Sequence, residues 1–233
     1  MDQTKKLTVS AEVVYFVSLI LMGLAVAMVA AADFGVSMVV APAYILSLKI
    51  SFLTFGQGEY VVQSVLFIIM CLLMKKIKPV YFFAFLTCVI YGLILDVWRM
   101  AIPLLNASIT PPGSMAMPIR IVLFVCGVTL TAFAVALGFH TYLFPQVNDF
   151  FVKAVSGHFK MPVSKFKTIF DFINLFVSCV LTLAFFGKFR GIGVGTVIIT
   201  FVNGFLIGFF DKLLAKYMVS VPISEKFSHF FDI

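Results

Sequence analysis

The sequence predicts an all-α polytopic membrane protein with six transmembrane helices, arranged as two inverted three-helix repeats that each contain a broken, re-entrant or interfacial helix. Three observations lead to this fold class: the composition, the recurrence of long apolar runs and the repetition of their order. The chain is 62% hydrophobic and 12% charged, with a mean hydropathy of +1.14. A soluble domain carries about twice that share of charged residues.

The apolar runs are long enough to cross a hydrocarbon core of about 30 Å. We expect one compact membrane domain with spans at 12–32, 59–74, 79–98, 119–141, 168–187 and 192–210. The first run is too long for a cleavable signal peptide and lacks a small-residue cleavage site, so we expect it to remain as a span.

The basic residues predict the orientation of the chain. An even number of spans places both termini on one side, and twelve of the 17 lysines and arginines fall on that side, several of them in 144–167 and in the tail 215–233. The positive-inside rule then predicts a multi-pass protein of the bacterial plasma (inner) membrane with both termini in the cytoplasm. The net charge of +7 therefore reflects contact with the lipid bilayer and calls for no nucleic-acid partner.

The same order of segments occurs twice, in 11–100 (the core of an N-terminal repeat, 1–100) and in 118–214, with an external linker at 101–117. Each half has an apolar run, a proline-marked interruption and two further runs. Gly23 precedes Pro42 by 19 residues, and Gly127 precedes Pro145 by 18 residues. Because each half holds three spans, the second half enters from the opposite side of the membrane, which makes the repeats inverted.

The interruptions predict the position of a binding cavity. We expect 34–57 to be re-entrant on the outside and 144–167 to be interfacial on the inside, where 145–157 has the apolar periodicity of an amphipathic helix. A full crossing by 34–57 is the alternative, but it would separate the termini. Irregular backbone at membrane depth is tolerated only where protein or a water-filled cavity shelters it, so the two breaks indicate a cavity between them.

Glycine motifs relate the chain to a known family. The run 191–196 has the sequence GIGVGT, and Gly204 follows eight residues later. It resembles the last span of the YczE/YyaS/YitT-like bacterial integral membrane proteins. The stretches 34–37 (FGVS), 41–42 (AP) and 55–58 (FGQG) are similar to that family's first broken segment. The resemblance covers nearly the whole chain and implies a permease or an exporter.

Polar residues in or beside the breaks are the candidates for substrate binding. A carboxylate within the membrane is costly and needs a partner, so Asp33, Glu59 and Asp171 are candidates for substrate recognition or proton coupling, with structural ion pairs as the alternative. Amides inside spans bind either a substrate or a neighbouring helix. The predicted set is Asp33, Ser37, Pro42, Tyr44, Gln57, Glu59, Gln63, Pro145, Asn148, Asp149, Asp171, Asn174 and Asn203.

The glycines of the last span are candidates for gating or for close helix packing, namely Gly191, Gly193, Gly195 and Gly204. The four cysteines form no CxxC pair and lie beside no histidine, which favours apolar packing over a metal site. We expect no cofactor. The absence of HExxH, GxSxG and P-loop motifs argues against an enzyme, so no catalytic residue is assigned.

The duplicated, broken pattern favours a secondary-type transporter that works by alternating access. Helix N-termini near Ser37 and Asn148 favour a small polar or anionic organic substrate. The alternatives are a substrate-capture membrane subunit that works with an ATP-driven energy-coupling partner, and an accessory membrane protein of a biosynthetic complex. The glycine stripes are also compatible with a homodimer.

Overall fold

The protein folds as an all-α polytopic membrane protein, as predicted. A computed structural model describes residues 7–75, 81–143 and 146–223. Six of its helices are long and apolar enough to cross a membrane: α1 (Ala11–Ala32), α3 (Phe55–Met74), α4 (Tyr81–Ala101), α5 (Met117–Phe139), α7 (Val163–Phe186) and α8 (Val194–Tyr217).

Two short helices occupy the predicted breaks, α2 (Ala41–Lys49) and α6 (Val147–His158). With 9 and 12 residues they are too short to span the membrane. Pro42 lies in the first turn of α2, where its missing N–H costs no hydrogen bond. The amphipathic helix expected at 145–157 is confirmed as α6, which buries Phe150, Phe151 and Val155. Pro145 lies outside the described residues.

Two helix boundaries differ from those predicted, the start of α3 and the end of α8. α3 begins at Phe55, within the predicted break 34–57, because Thr54 and Gln57 form a capping box. The Gln57 amide N–H donates to Thr54 Oγ1 at 3.1 Å, and the Thr54 N–H donates to Gln57 Oε1 at 3.0 Å. At the other end of the chain, α8 continues to Tyr217, so the expected tail 215–233 begins inside a helix.

A small parallel sheet, which the sequence analysis missed, joins the two ends of the described chain. Strand β1 (Leu7–Ser10) pairs with β2 (Met218–Val221). We call this end of the bundle the terminal face and the other end, which carries Asp33 and Thr54, the opposite face. The pairing places both ends of the described chain on one face, as an even number of spans requires. Strands of four residues carry too little periodicity to be recognised in sequence.

α1 and α5 form the centre of the bundle, and glycine lets their backbones approach. A Cβ at Gly127 would lie 2.8 Å from Val29 Cγ2 and 3.0 Å from the Ala25 carbonyl oxygen. α4 packs on α1 and α8 packs on α5. Each short helix crosses to the other half, since α2 packs on α7 and α6 packs on α3. This reciprocal exchange has the pattern of two inverted repeats.

The two halves differ in how tightly they are closed. α3 and α4 pack extensively against each other, whereas α7 and α8 share no comparable contact. α8 consequently leaves large side chains uncovered, with Phe201 79% and Phe205 77% exposed. Such residues suit contact with lipid. The separation of α7 from α8 leaves room for a cavity inside the bundle.

The close approach of α1 and α5 predicts the effect of enlarging Gly127. Gly127→Val forces side-chain atoms against the Ala25 and Val29 backbone, and we expect the free energy of unfolding to fall by about 1–3 kcal/mol. The measurement is thermal unfolding of the purified protein in detergent. Gly208→Val is the matched control, because a Cβ at Gly208 meets no atom within 4 Å. Equal loss of stability in both variants would contradict this account of the interface.

Candidate functional site: a cavity between the two halves

A cavity of about 360 Å³ lies between the two halves, and both breaks reach it. Ser37 enters from the segment before α2, and Gln146 and Asn148 enter from the start of α6. The rest of the wall comes from α1, α4, α5, α7 and α8. The breaks therefore meet at one cavity, which is the place that the sequence predicts.

The end of the cavity nearest the terminal face is charged. Lys167 Nζ lies 2.8 Å from Asp171 Oδ1, one helical turn away on α7. Asp149 lines the same end, and its carboxylate has no hydrogen bond or ion pair with any described residue. Partial desolvation by the surrounding helices raises the pKa of Asp149 above its ordinary value, Lys167 lowers it and Asp171 raises it, while the side chain stays open to the cavity.

Two asparagines in the wall have unused hydrogen-bonding capacity. Asn148 is 5% exposed, and its Oδ1 has no hydrogen-bond partner among the described residues. The same holds for Asn203 Oδ1, which also lies at a small apolar pocket of about 20 Å³ beside Val29 and Val36. An unpaired buried amide costs about 1–3 kcal/mol, so such groups are typical of sites that a ligand completes.

Backbone contacts close the bundle between this cavity and the opposite face. We call the contact between 33–36 and 191–195 the opposite-face seal. The Gly195 N–H donates to the Phe34 carbonyl oxygen at 2.7 Å, and the Val36 N–H donates to the Gly191 carbonyl oxygen at 3.0 Å. A Cβ at Gly193 would lie 2.6 Å from the Phe34 carbonyl oxygen. Gly191, Gly193 and Gly195 are thus packing residues of the seal, which agrees with their predicted role.

Arg120 reinforces the seal from α5. Its guanidinium donates from Nε to the Ala32 carbonyl oxygen at 2.8 Å and from Nη2 to the Asp33 carbonyl oxygen at 2.9 Å. It also lies 3.6 Å from Asp33 Oδ2 and stacks over the Phe34 ring. A cation at the C-terminus of α1 is favoured by the helix dipole. Burial raises the pKa of Asp33, although Arg120 and Arg190 lower it.

A second cavity, of about 430 Å³, lies on the other side of the seal. Asp33, Lys188, Arg190 and Gly193 are among its lining residues. Asp33 therefore belongs to the seal and to this outer cavity, and it does not reach the cavity between the breaks. Within the described residues, these two cavities thus lie on opposite sides of the opposite-face seal.

Gln63 ties α3 to α6 and leaves no atom for a ligand in this structure. Its Oε1 accepts from the Val147 N–H at 3.1 Å and so caps the N-terminus of α6. Its Nε2 donates to Glu59 Oε2 at 2.9 Å and to Gln146 Oε1 at 3.1 Å. Glu59 is fully buried beside it, and Glu59 Oε1 has no hydrogen-bond partner among the described residues. Neither side chain lines the cavity, contrary to the sequence prediction.

Two other predicted binding residues, Tyr44 and Asn174, form hydrogen bonds with backbone carbonyl oxygens of helices. The Tyr44 hydroxyl donates to the Ala30 carbonyl oxygen at 3.3 Å, and Asn174 Nδ2 donates to the Phe170 carbonyl oxygen at 2.8 Å. The polar group of each is turned to backbone and neither residue lines the cavity, so their contact with a substrate stays a prediction. Gln57 and Pro42, which begin α3 and α2, do not line the cavity either.

Five of the predicted binding residues line the cavity: Ser37, Asn148, Asp149, Asp171 and Asn203. Gly204 also lines it. A Cβ at Gly204 would meet no atom within 4 Å, so Gly204 makes no close contact with another helix here, and its role in gating or packing stays a prediction.

Sequence reasoning missed further residues of the wall, including Tyr91, Thr131, Lys167 and Thr200. Lys167 was detectable, because it stands four residues before Asp171, which is ion-pair spacing on a helix. The sequence does not mark Thr131 and Thr200 as cavity residues, because a threonine within a span can satisfy its hydroxyl on its own helix. Both do so here, by donating to a carbonyl oxygen one turn earlier. Among the described residues, no group of three or more His, Cys, Asp or Glu side chains is placed to hold a metal ion.

Fold and site together define a multi-pass membrane protein with a cavity between its two halves that carries charged residues. The chain belongs to a family of unknown function, DUF6198, whose family model matches residues 9–212. No curated protein and no solved structure matches the chain. The geometry of the cavity therefore carries the functional argument.

The cap that Gln63 provides predicts a structural defect when it is removed. Gln63→Leu leaves the Val147 N–H, Gln146 and Glu59 without their shared partner, and we expect a loss of about 2–4 kcal/mol in the free energy of unfolding. Limited proteolysis should also cut faster in 144–162. Gln57→Ala is the control on the same helix, with a cost below ~1 kcal/mol. An unchanged cleavage rate in Gln63→Leu would refute the capping role.

The raised pKa of Asp149 predicts a pH-dependent effect on stability. A carboxyl group whose pKa is higher in the folded state than in the unfolded state binds its proton more tightly when folded. The charged form is therefore destabilising above the folded pKa, and the penalty disappears at acidic pH. We expect Asp149→Asn to raise the unfolding temperature at pH 7.5, with a difference from the native protein that vanishes toward about pH 4. A difference in unfolding temperature that stays constant across this pH range would exclude the raised pKa of Asp149 as its cause.

Proposed function

We propose that the protein is a secondary transporter that moves a small polar organic molecule by alternating access. The observation that carries the proposal is the pair of cavities on opposite sides of one seal. A transporter needs a site that is open to one side at a time, and inverted repeats generate the two states by moving against each other. No chemical step forms part of this proposal.

The seal is built so that relative motion of the repeats opens it. One segment of the contact, 33–36, belongs to the first repeat, and the other segment, 191–195, belongs to the second. Two backbone hydrogen bonds contribute about 0.5–1.5 kcal/mol each, a cost that a conformational change can meet. The present conformation is closed at the opposite face. Toward the terminal face the cavity ends at accessible residues, with Phe139 65% exposed.

We place the terminal face in the cytoplasm and the protein in a bacterial inner membrane. The lysine distribution supports this orientation, and the resemblance to the YczE/YyaS/YitT-like proteins supports a permease or an exporter. The lining does not favour the anionic substrate suggested by the helix N-termini. It holds two carboxylates, Asp149 and Asp171, against the single ammonium group of Lys167.

Alternating access predicts that the two cavities are reached from different sides of the membrane. The experiment uses a background in which the four cysteines are replaced by alanine, with Thr200→Cys in the inner cavity or Phe189→Cys in the outer one. A membrane-impermeant thiol reagent is applied to intact cells and to inverted vesicles. We expect Thr200→Cys to react faster in inverted vesicles than in intact cells, and Phe189→Cys to react faster in intact cells.

Breaking the seal should make the inner cavity accessible from both sides. A Cβ at Gly195 would lie 2.7 Å from the Phe34 carbonyl oxygen, so Gly195→Val cannot form the closed contact. We expect this variant to expose Thr200→Cys in intact cells as well, while Gly208→Val leaves the labelling unchanged. Labelling of Thr200→Cys from neither side, or rates of labelling from the two sides that Gly195→Val leaves unchanged, would overturn the transporter proposal.

A further inference from the structure

We infer that the cavity recognises a small amphiphilic amine, which it holds through the protonated nitrogen at Asp149. This inference rests on the proposed function, because it takes the cavity as the substrate site. It goes further by naming the chemical class of the substrate.

The charge balance of the lining is the first argument. Its charged residues are Asp149, Lys167 and Asp171, while the lining parts of α1, α5 and α8 contribute apolar and uncharged polar side chains. Lys167 is held by Asp171 at 2.8 Å, and no other cation of the described residues forms an ion pair with the Asp149 carboxylate. The Asp149 side chain is exposed and lines the cavity, so its carboxylate can form a charge-assisted hydrogen bond with a bound ammonium group.

The unpaired amides are a second and independent argument. Asn148 follows the first residue of α6, is 95% buried as a residue, and has an amide oxygen without a partner among the described residues. Asn203 has the same unpaired oxygen on the facing helix α8. An ammonium group carries several N–H donors and uses more acceptors than one carboxylate offers. Asn148 lines the same cavity as Asp149 and supplies such an acceptor there.

The remainder of the wall fits a hydrocarbon or aromatic body. Met22, Val26, Val135, Ile199 and Ile207 also line the cavity, as does Tyr91. Burial of apolar surface there contributes about 25 cal/mol per Å². A volume of about 360 Å³ stands near the lower limit of small-molecule sites and is far larger than a bare metal cation needs. The wall therefore favours a compact amine with an apolar body.

Charged thiol reagents test the sign of the potential without knowledge of the natural substrate. In the cysteine-free background, the thiol of Thr200→Cys is modified by 2-(trimethylammonium)ethyl methanethiosulfonate or by 2-sulfonatoethyl methanethiosulfonate, with each rate divided by that of a free thiol. We expect the cationic reagent to react at least about tenfold faster, a preference of ~1.4 kcal/mol. Asp149→Asn should remove most of this preference.

Asp211→Asn is the matched control, because Asp211 lies near the terminal end of α8, outside the cavity lining, with 46% of its side chain exposed. This variant should keep the preference for the cationic reagent. A preference for the anionic reagent, or one that Asp149→Asn leaves unchanged, would overturn the inference. Both results would leave the transporter proposal intact, since that proposal depends on the side from which labelling occurs.

Matched small molecules provide a direct binding test. We would titrate the detergent-solubilised native protein with 2-phenylethylamine, 2-phenylethanol and phenylacetate, which share one apolar frame and differ in charge. We expect the amine to bind most tightly and to raise the unfolding temperature, with about a tenfold weaker affinity in Asp149→Asn. Tighter binding of phenylacetate, or no binding of the amine at about 10 mM, would contradict the inference.

Discussion

The contact of Gln63 with the start of α6 shows the constraint on which the structure depends. A helix that begins inside the membrane exposes backbone N–H groups that lipid cannot satisfy. The Gln63 side chain meets this need for the Val147 N–H and reaches it from the other repeat. Because the break in one half is completed by a span of the other, the two halves form a single unit and enclose a polar space between them.

The interfaces around that space differ in strength. The contact of α1 with α5 is close, with Gly127 against the backbone of Ala25 and Val29. The opposite-face seal consists of two backbone hydrogen bonds, an aromatic pair between Phe34 and Phe124, and the contacts of Arg120. The α1–α5 contact suits an interface that stays closed while the repeats move, and the opposite-face seal suits an interface that opens. This division gives the proposed transport cycle its mechanical basis.

Part of the site was predictable from the sequence and part was not. Ser37, Asn148, Asp149 and Asp171 follow from the breaks, because residues near a helix start at membrane depth must face protein or a cavity. Gln63 and Tyr44 were assigned to the same site and belong elsewhere, since their hydrogen-bond partners lie on segments that are distant in sequence. A polar residue within an apolar run indicates that some partner exists, but not which one.

The sequence by itself determined the class of protein, the six spans, the two breaks and the doubling of the pattern. Hydrophobicity, helix capping and charge act over short stretches of chain, so these features can be recognised locally. Only the tertiary structure decided which breaks meet, which glycines close the seal and which carboxylate is left unpaired. Those outcomes depend on contacts between the repeats, where Lys167 engages Asp171 and Asp149 faces the cavity without an ion pair to any other described residue.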